Sequence, residues 1–176
     1  MEKIWKQERR IRGAVAVAIL LLAGVAAIAQ AGWFDGIFKK SPAEIANSAG
    51  VVETADAVKI PLKALDSGKA LFLQADMGGR TLYYFVYYFA LKSSDGAYRA
   101  SFDACSGCFR SNYGYRQEGD RLVCNKCGQA FPSVRIGEIK GGCNPQPLAR
   151  KVEGQYLVIL KADLAAGKEY FPFKRS

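Results

Sequence analysis

Apolar and polar positions divide the chain into three stretches of different character. Residues 13–29 carry no charged or strongly polar side chain, and Gln30, Ala31, Gly32, Trp33 and Phe34 extend this run before Asp35. A helix crossing a bilayer needs about 17–25 apolar residues, so 13–34 reads as one transmembrane helix with Trp33 and Phe34 as interfacial anchors. Residues 35–50, with Lys39-Lys40-Ser41-Pro42 and Gly50, read as a linker with a short helix at Pro42–Ser48, since Pro is favoured in a first helical turn. From Val51 onward the pattern becomes that of strands. Residues 57–65 alternate loosely and end at the turn Asp66-Ser67-Gly68, and a second strand begins at Leu71-Phe72-Leu73. Residues 80–91 form the most strand-like run, apolar on both faces, as in a central strand covered on each side. Ser93-Ser94-Asp95-Gly96 turns it into a hairpin with residues 97–103, and residues 155–160 give a late strand. The stretch from Ile60 to Lys69 is echoed from Val158 to Lys168, each copy followed by an aromatic, Phe72 and Phe171. The predicted fold is all-β or β-dominated α+β: a single domain over 51–176 with a cysteine-rich loop region at one end.

Charge orients this arrangement. Residues 1–12 hold Lys3, Lys6, Arg9, Arg10 and Arg12 against Glu2 and Glu8. Basic residues stay on the cytoplasmic side, which places 1–12 in the cytoplasm and the domain outside it, on a single-pass inner-membrane protein. Ala27-Ile28-Ala29 also resembles a signal-peptidase site, which leaves a cleaved signal peptide and a periplasmic or secreted domain as the alternative. The apolar run exceeds the usual 7–15 residues of a signal h-region, which favours an anchor. Arg9-Arg10 lacks the hydrophobic pair that a twin-arginine signal would place after it. The 176-residue chain carries 25 Lys and Arg against 16 Asp and Glu, a formal charge of +9. The basic residues are dispersed rather than gathered on one motif, so nucleic-acid binding is not expected.

The absence of histidine narrows the chemistry further. It excludes Ser-His-Asp and Cys-His catalysis, imidazole-bound zinc, Rieske-type ligation and C-x-x-C-H haem attachment. Thiolates remain. All five cysteines fall in one block: Cys105-x-x-Cys108, fifteen residues, Cys124-x-x-Cys127, fifteen more, then Cys143. Two C-x-x-C turns at this separation are the spacing of a four-thiolate site, because each turn aims two sulfurs at one ion while backbone N–H groups remain free to bond to them. Such a set holds zinc, a single iron or an iron–sulfur cluster. Cys143, in Gly141-Gly142-Cys143-Asn144-Pro145, is a further candidate contact whose paired glycines permit close approach. Gly107 and Gly128 sit where such turns often need positive φ. The competing reading is a disulfide framework, natural outside the cytoplasm, in which either pair could be a redox disulfide.

Asp103-Ala104-Cys105-x-x-Cys108, Gly114-Tyr115-Arg116-Gln117-x-Gly119-Asp120, Cys124-x-x-Cys127-Gly128, Ile136-Gly137 and Gly141-Gly142-Cys143-Asn144-Pro145-x-Pro147-Leu148 together resemble the FtrD-like membrane iron–sulfur domain. The resemblance is specific over 100–148 and looser over 51–99 and 149–171. It implies an iron–sulfur cluster or iron held among Cys105, Cys108, Cys124, Cys127 and Cys143, with zinc or Cu(I) as the alternative. It also implies electron transfer or metal relay, rather than enzymatic turnover, as an accessory to iron uptake beside an iron permease or redox partner. Two readings from other classes stand beside it: a non-redox zinc or Cu(I) module, and a thiol–disulfide redox protein. Tyr113 and Tyr115 are expected to pack rather than to line an electron path.

Overall fold

The computed structural model describes residues 42–78 and 84–172. The expected cytoplasmic segment, the transmembrane helix or signal peptide, and the linker as far as Ser41 lie outside the described residues, as does the start of the expected strand at 80–83. No helix among the described residues is long and apolar enough to cross a membrane.

The described chain is β-dominated, with few and short helices. Helix α1 is Pro42–Ser48, as its proline signal predicts. The strands are β1 (Val52–Glu53), β2 (Ala57–Pro61), β3 (Leu71–Asp76), β4 (Phe85–Lys92), β5 (Tyr98–Phe102), β6 (Tyr115–Glu118), β7 (Arg121–Cys124), β8 (Ala130–Pro132), β9 (Lys151–Glu153) and β10 (Tyr156–Leu160), and α2 is Lys161–Ala165. They form three antiparallel sheets, β1-β2-β10-β9, β3-β4-β5 and β6-β7-β8.

The run of apolar residues in β4 has a direct cause. This strand is central in its sheet, and the sheet is covered on both faces. Tyr88 and Ala90 join Val58, Ile60, Leu157 and Ile159 of the first sheet in one core. Phe89 and Leu91 point the other way and join Tyr115, Leu122, Cys124 and Phe131 of the third sheet in a second core. Successive side chains of a strand face opposite sides, so a strand between two cores must be apolar at every position. Tyr87 packs edge-on against Phe171 at 5.6 Å.

The echoed segments, β2 and β10, pair with each other as the two inner strands of the first sheet, with Lys59 opposite Val158. Each then enters a helical turn, a 3₁₀ turn at Leu62–Ala64 in one copy and α2 in the other. Leu65 and Leu164 from these turns are both fully buried. Two expectations are corrected here. The strand predicted over 57–65 ends at Pro61, because the chain turns in to bury Leu65. The cysteine block is not all loop: β6, β7 and β8 run through it.

Candidate metal centre

Three segments carry the five thiols to one place. Cys105 and Cys108 follow β5, and the chain after Cys108 closes in a 3₁₀ turn at Phe109–Ser111. Cys124 is the last residue of β7, and Cys127 lies in the turn between β7 and β8. Cys143 arrives on a loop stitched to the end of β5. The Phe102 amide donates to the Gln146 carbonyl at 2.8 Å, the Gln146 amide donates to the Ala104 carbonyl at 2.9 Å, and Ser101 bridges Pro147.

The sulfurs fall into two sets that share Cys108. Cys105, Cys108 and Cys124 have sulfurs all within 4.8 Å of one another, and so do Cys108, Cys127 and Cys143. Cys105 and Cys124 are buried, Cys108 and Cys143 are half-buried, and Cys127 is exposed. The structure therefore brings all five candidate residues together; it keeps the pair Cys105 and Cys108 in one set but divides Cys124 and Cys127 between the two. No carboxylate joins either set among the described residues.

Both turns present backbone N–H groups to sulfur, as their sequence implies. The Cys108 amide donates to Cys105 Sγ at 3.1 Å. The amides of Cys127 and Lys126 hydrogen-bond to Cys124, and that of Gln129 to Cys127. Gln129's amide is the main influence holding the Cys127 thiol below its ordinary pKa. Burial pushes the thiols of Cys108 and Cys124 up, and that of Cys143 to about 11. Packing several sulfurs together out of water penalises thiolates, and a bound cation reverses that penalty. All-sulfur donors fit a soft or borderline thiophilic ion or an iron–sulfur cluster, so the residues present suit the group the sequence implies.

In the loops that carry the cysteines, glycine acts through backbone conformation rather than close approach. Gly128 has φ +74°, as expected. Gly107 does not adopt positive φ, and a Cβ there would meet Cys143 Sγ at 3.5 Å, an ordinary contact. Gly141 and Gly142 have φ of +96° and +59°, yet open space surrounds both. They are needed for the turn that presents Cys143, which corrects the expectation of a tight approach.

The two tyrosines part company. Tyr113 is exposed, with Lys126 Nζ 5.7 Å from its ring centre. Tyr115 is buried, sits opposite Cys124 in the β6–β7 pair, and packs against Phe89 and Phe131. Its hydroxyl donates to the Cys143 carbonyl at 2.5 Å, which ties the third cysteine segment to the first two. Burial beside the thiols pushes its pKa up strongly, so it stays a neutral donor. Asp103 is also buried, and its Oδ1 accepts from the Tyr115 amide at 2.7 Å. A Cβ on Gly114 would collide with the Asp103 carboxylate, and Gly114 has φ +62°, so glycine lets β6 begin there.

A second set of contacts fixes the chain leading to Cys143. Buried Arg99 on β5 reaches Glu138 Oε1 and Asp95 Oδ2, both at 2.6 Å, and Arg150 also holds Glu138 at 2.6 Å. Gly137 has φ +72°, and a Cβ there would lie 2.6 Å from the Ala100 carbonyl. Arg99 does not stand out in the sequence as a site residue, because its partners are brought to it by folding; Asp103 is part of the Asp-Ala-Cys motif, but its partner Tyr115 is not evident there. The Gly-Tyr-Arg-Gln run does carry a signal for Tyr115 and for Gln117, which accepts from the Ala70 amide at 2.6 Å and donates to the Gly68 carbonyl.

A surface cavity of about 740 Å³ lies elsewhere. It is open, includes Asp66, Lys69, Lys92, Gln117 and Asp120 in its lining, and has no thiol. A much smaller one, about 10 Å³, lies against Cys105, Cys108 and Cys124, beside Tyr113, Tyr115 and Lys126.

No curated protein and no solved structure matches the chain. A family model does match, over residues 54–171, most of the chain and the whole of the thiol site. The chain belongs to the FtrD-like family of membrane iron–sulfur containing proteins.

Proposed function

We propose that this domain is a metal–thiolate centre that passes electrons or metal to a membrane partner in iron uptake, with the domain held at the outer face of the inner membrane by residues 13–34. One observation carries the reading: five thiols from three separate segments converge, the inner ones buried and Cys127 at the surface. A purely structural metal site has no need of an exposed ligand, whereas a relay needs a route by which electrons or an ion reach the centre. The family supplies the iron–sulfur chemistry, and the membrane setting accords with the apolar run. The chain's own part is to hold the ligands in place. N–H groups at both C-x-x-C turns bond to sulfur, that of Gln129 favours the Cys127 thiolate, and Tyr115 fixes the Cys143 loop.

The test is anaerobic purification of the full-length chain in detergent, followed by metal and acid-labile sulfide analysis and a visible spectrum under reductant and oxidant. Bound metal with all-sulfur ligation and a reversible spectral change is expected. Metal-free protein with its cysteines paired as disulfides would overturn the reading in favour of thiol–disulfide chemistry.

A further inference from the structure

We infer that the outer face of the first sheet, β1-β2-β10-β9, rests on the lipid headgroups of the bilayer that anchors the chain, with the thiol-bearing third sheet on the far side of the domain. This rests on the anchor reading above and adds an orientation to it. Antiparallel partners lie on the same face, so the strand registers divide the sheet into two sides. Val58, Ile60, Leu157 and Ile159 fill the core. Val52, Lys59, Lys151, Tyr156 and Leu160 share the opposite side, with Val158 buried between the two lysines of its row. Val52, Tyr156 and Leu160 are 48%, 39% and 41% exposed, and Val152 on the edge strand β9 is 54% exposed. The only other exposed large hydrophobic side chain among the described residues is Tyr113, beside the thiols.

Composition and reach select the occupant. Aliphatic side chains, a tyrosine and lysines on one surface suit the headgroup region. Tyrosine offers an apolar body with a polar tip, and a lysine stem lies on apolar surface while its ammonium reaches phosphate. Lys59 and Lys63 form no ion pair with another described residue. Exposed Lys63 borders a groove of about 440 Å³ that Pro61, Gly154 and Tyr156 also line, at the end of this face. Seven residues, 35–41, separate the apolar run from α1. An extended chain spans at most about 3.6 Å per residue, so α1 begins within about 25 Å of the bilayer. The chain then runs directly to this sheet. A Cβ on Gly50, just past α1, would touch Pro61 Cγ at 3.7 Å, and Val51 leads into β1.

The orientation has a consequence for the thiols. The first sheet packs on one face of β3-β4-β5 and the third sheet on the other. Packed sheets lie about 10 Å apart, so β7 with Cys124 stands roughly 20 Å beyond the lipid-facing sheet. A partner therefore meets the thiols with a part that stands clear of the bilayer.

The test places a photo-crosslinking benzophenone amino acid at Val52, Tyr156 or Leu160, and at Tyr113 as control, in full-length protein held in nanodiscs of phosphatidylethanolamine and phosphatidylglycerol. All four positions are exposed, so the substituted chains are expected to fold. After irradiation, mass spectrometry should find lipid adducts at the three positions of the first sheet and at least tenfold fewer at Tyr113. Hydrogen exchange on the unmodified chain checks the same face without a substitution: it should slow over 151–156 on transfer from detergent micelles to nanodiscs and stay unchanged over 113–121. Adducts to a second copy of the chain in place of lipid, or lipid adducts as frequent at Tyr113, would overturn the inference and leave the anchor standing. So would a chain retained in the nanodisc with no lipid adduct and no slowing over 151–156. A mature chain beginning at Gln30, or one that does not stay with the nanodisc, would overturn both.

Discussion

Tyr115→Phe isolates the contact that ties the Cys143 loop to the two C-x-x-C turns. The ring stays, and with it the packing on Phe89 and Phe131, whose centres lie 6.3 and 6.4 Å away. Only the hydroxyl is lost, and with it a 2.5 Å hydrogen bond to the Cys143 carbonyl. Removing one partner of a buried hydrogen bond leaves the other unsatisfied, at a cost of about 1–3 kcal/mol. In urea unfolding of the reduced, metal-free protein this corresponds to a midpoint lower by about 1 M. The loop should also loosen, so alkylation of Cys143 should be faster than in the parent protein. Tyr113→Phe is the control: Tyr113 is 62% exposed, and its change should stay within about 0.5 kcal/mol. If the two variants were indistinguishable in both stability and Cys143 reactivity, the hydroxyl would not be holding the loop and the argument would fail.

Gly137→Ala should cost more than about 2 kcal/mol in denaturant unfolding, because it combines positive φ with a Cβ 2.6 Å from a backbone carbonyl on β5. Arg99→Ala should destabilise the reduced protein by about 1–3 kcal/mol, and Arg99→Lys should not restore it, because one ammonium cannot reach Ser93, Asp95 and Glu138 as the guanidinium does. The acid limb of stability should report the same network. Hydrogen bonds from Ser93, the Ala97 amide and Arg99 hold Asp95 at about 2, and Arg150 holds Glu138 below its ordinary value. Carboxylates lowered in the folded state stabilise it above their unfolded pKa of about 4. That contribution should disappear as pH falls from about 4 toward 2, seen as falling urea midpoints, and Arg99→Ala should flatten the fall.

What the sequence made legible follows from what is local. β4 was readable because a strand between two cores is apolar at every position, and the α1 start because proline marks it. The C-x-x-C spacing announced a thiolate site, since the geometry of each turn is set within four residues. The repeat of Ile60-to-Lys69 in Val158-to-Lys168 was visible in the sequence, but that β2 and β10 pair with each other is known only from the fold. A third unit of the same kind, β8 followed by a 3₁₀ turn at Ser133–Arg135 and buried Ile136, was too diverged to notice. β6 and β7 were missed because each is only four residues long and mixes charged and apolar positions, a weak signal beside the cysteines.

The division of the thiols was not legible for a different reason. Which sulfur faces which depends on how three segments pack, and the equal fifteen-residue gaps on either side of the second C-x-x-C say nothing about that. Cys108 sits in both sets because the 3₁₀ turn after it and the stitching of residues 146–148 to β5 put it between them. Asp103 and Gly137 lie in motifs visible in the sequence, but their contacts with Tyr115 and Ala100, like those of Arg99 with Glu138, join residues that no local pattern pairs.

The most direct test of the account is sulfur and metal X-ray absorption on full-length protein purified anaerobically without added metal. Convergence of Cys105, Cys108, Cys124, Cys127 and Cys143 on a metal centre predicts bound metal with a first shell of sulfur alone, and Cys105→Ser and Cys124→Ser, which open the buried side, should each lose most of that metal. A first shell dominated by oxygen or nitrogen, or metal content unchanged across all five single serine variants, would contradict it.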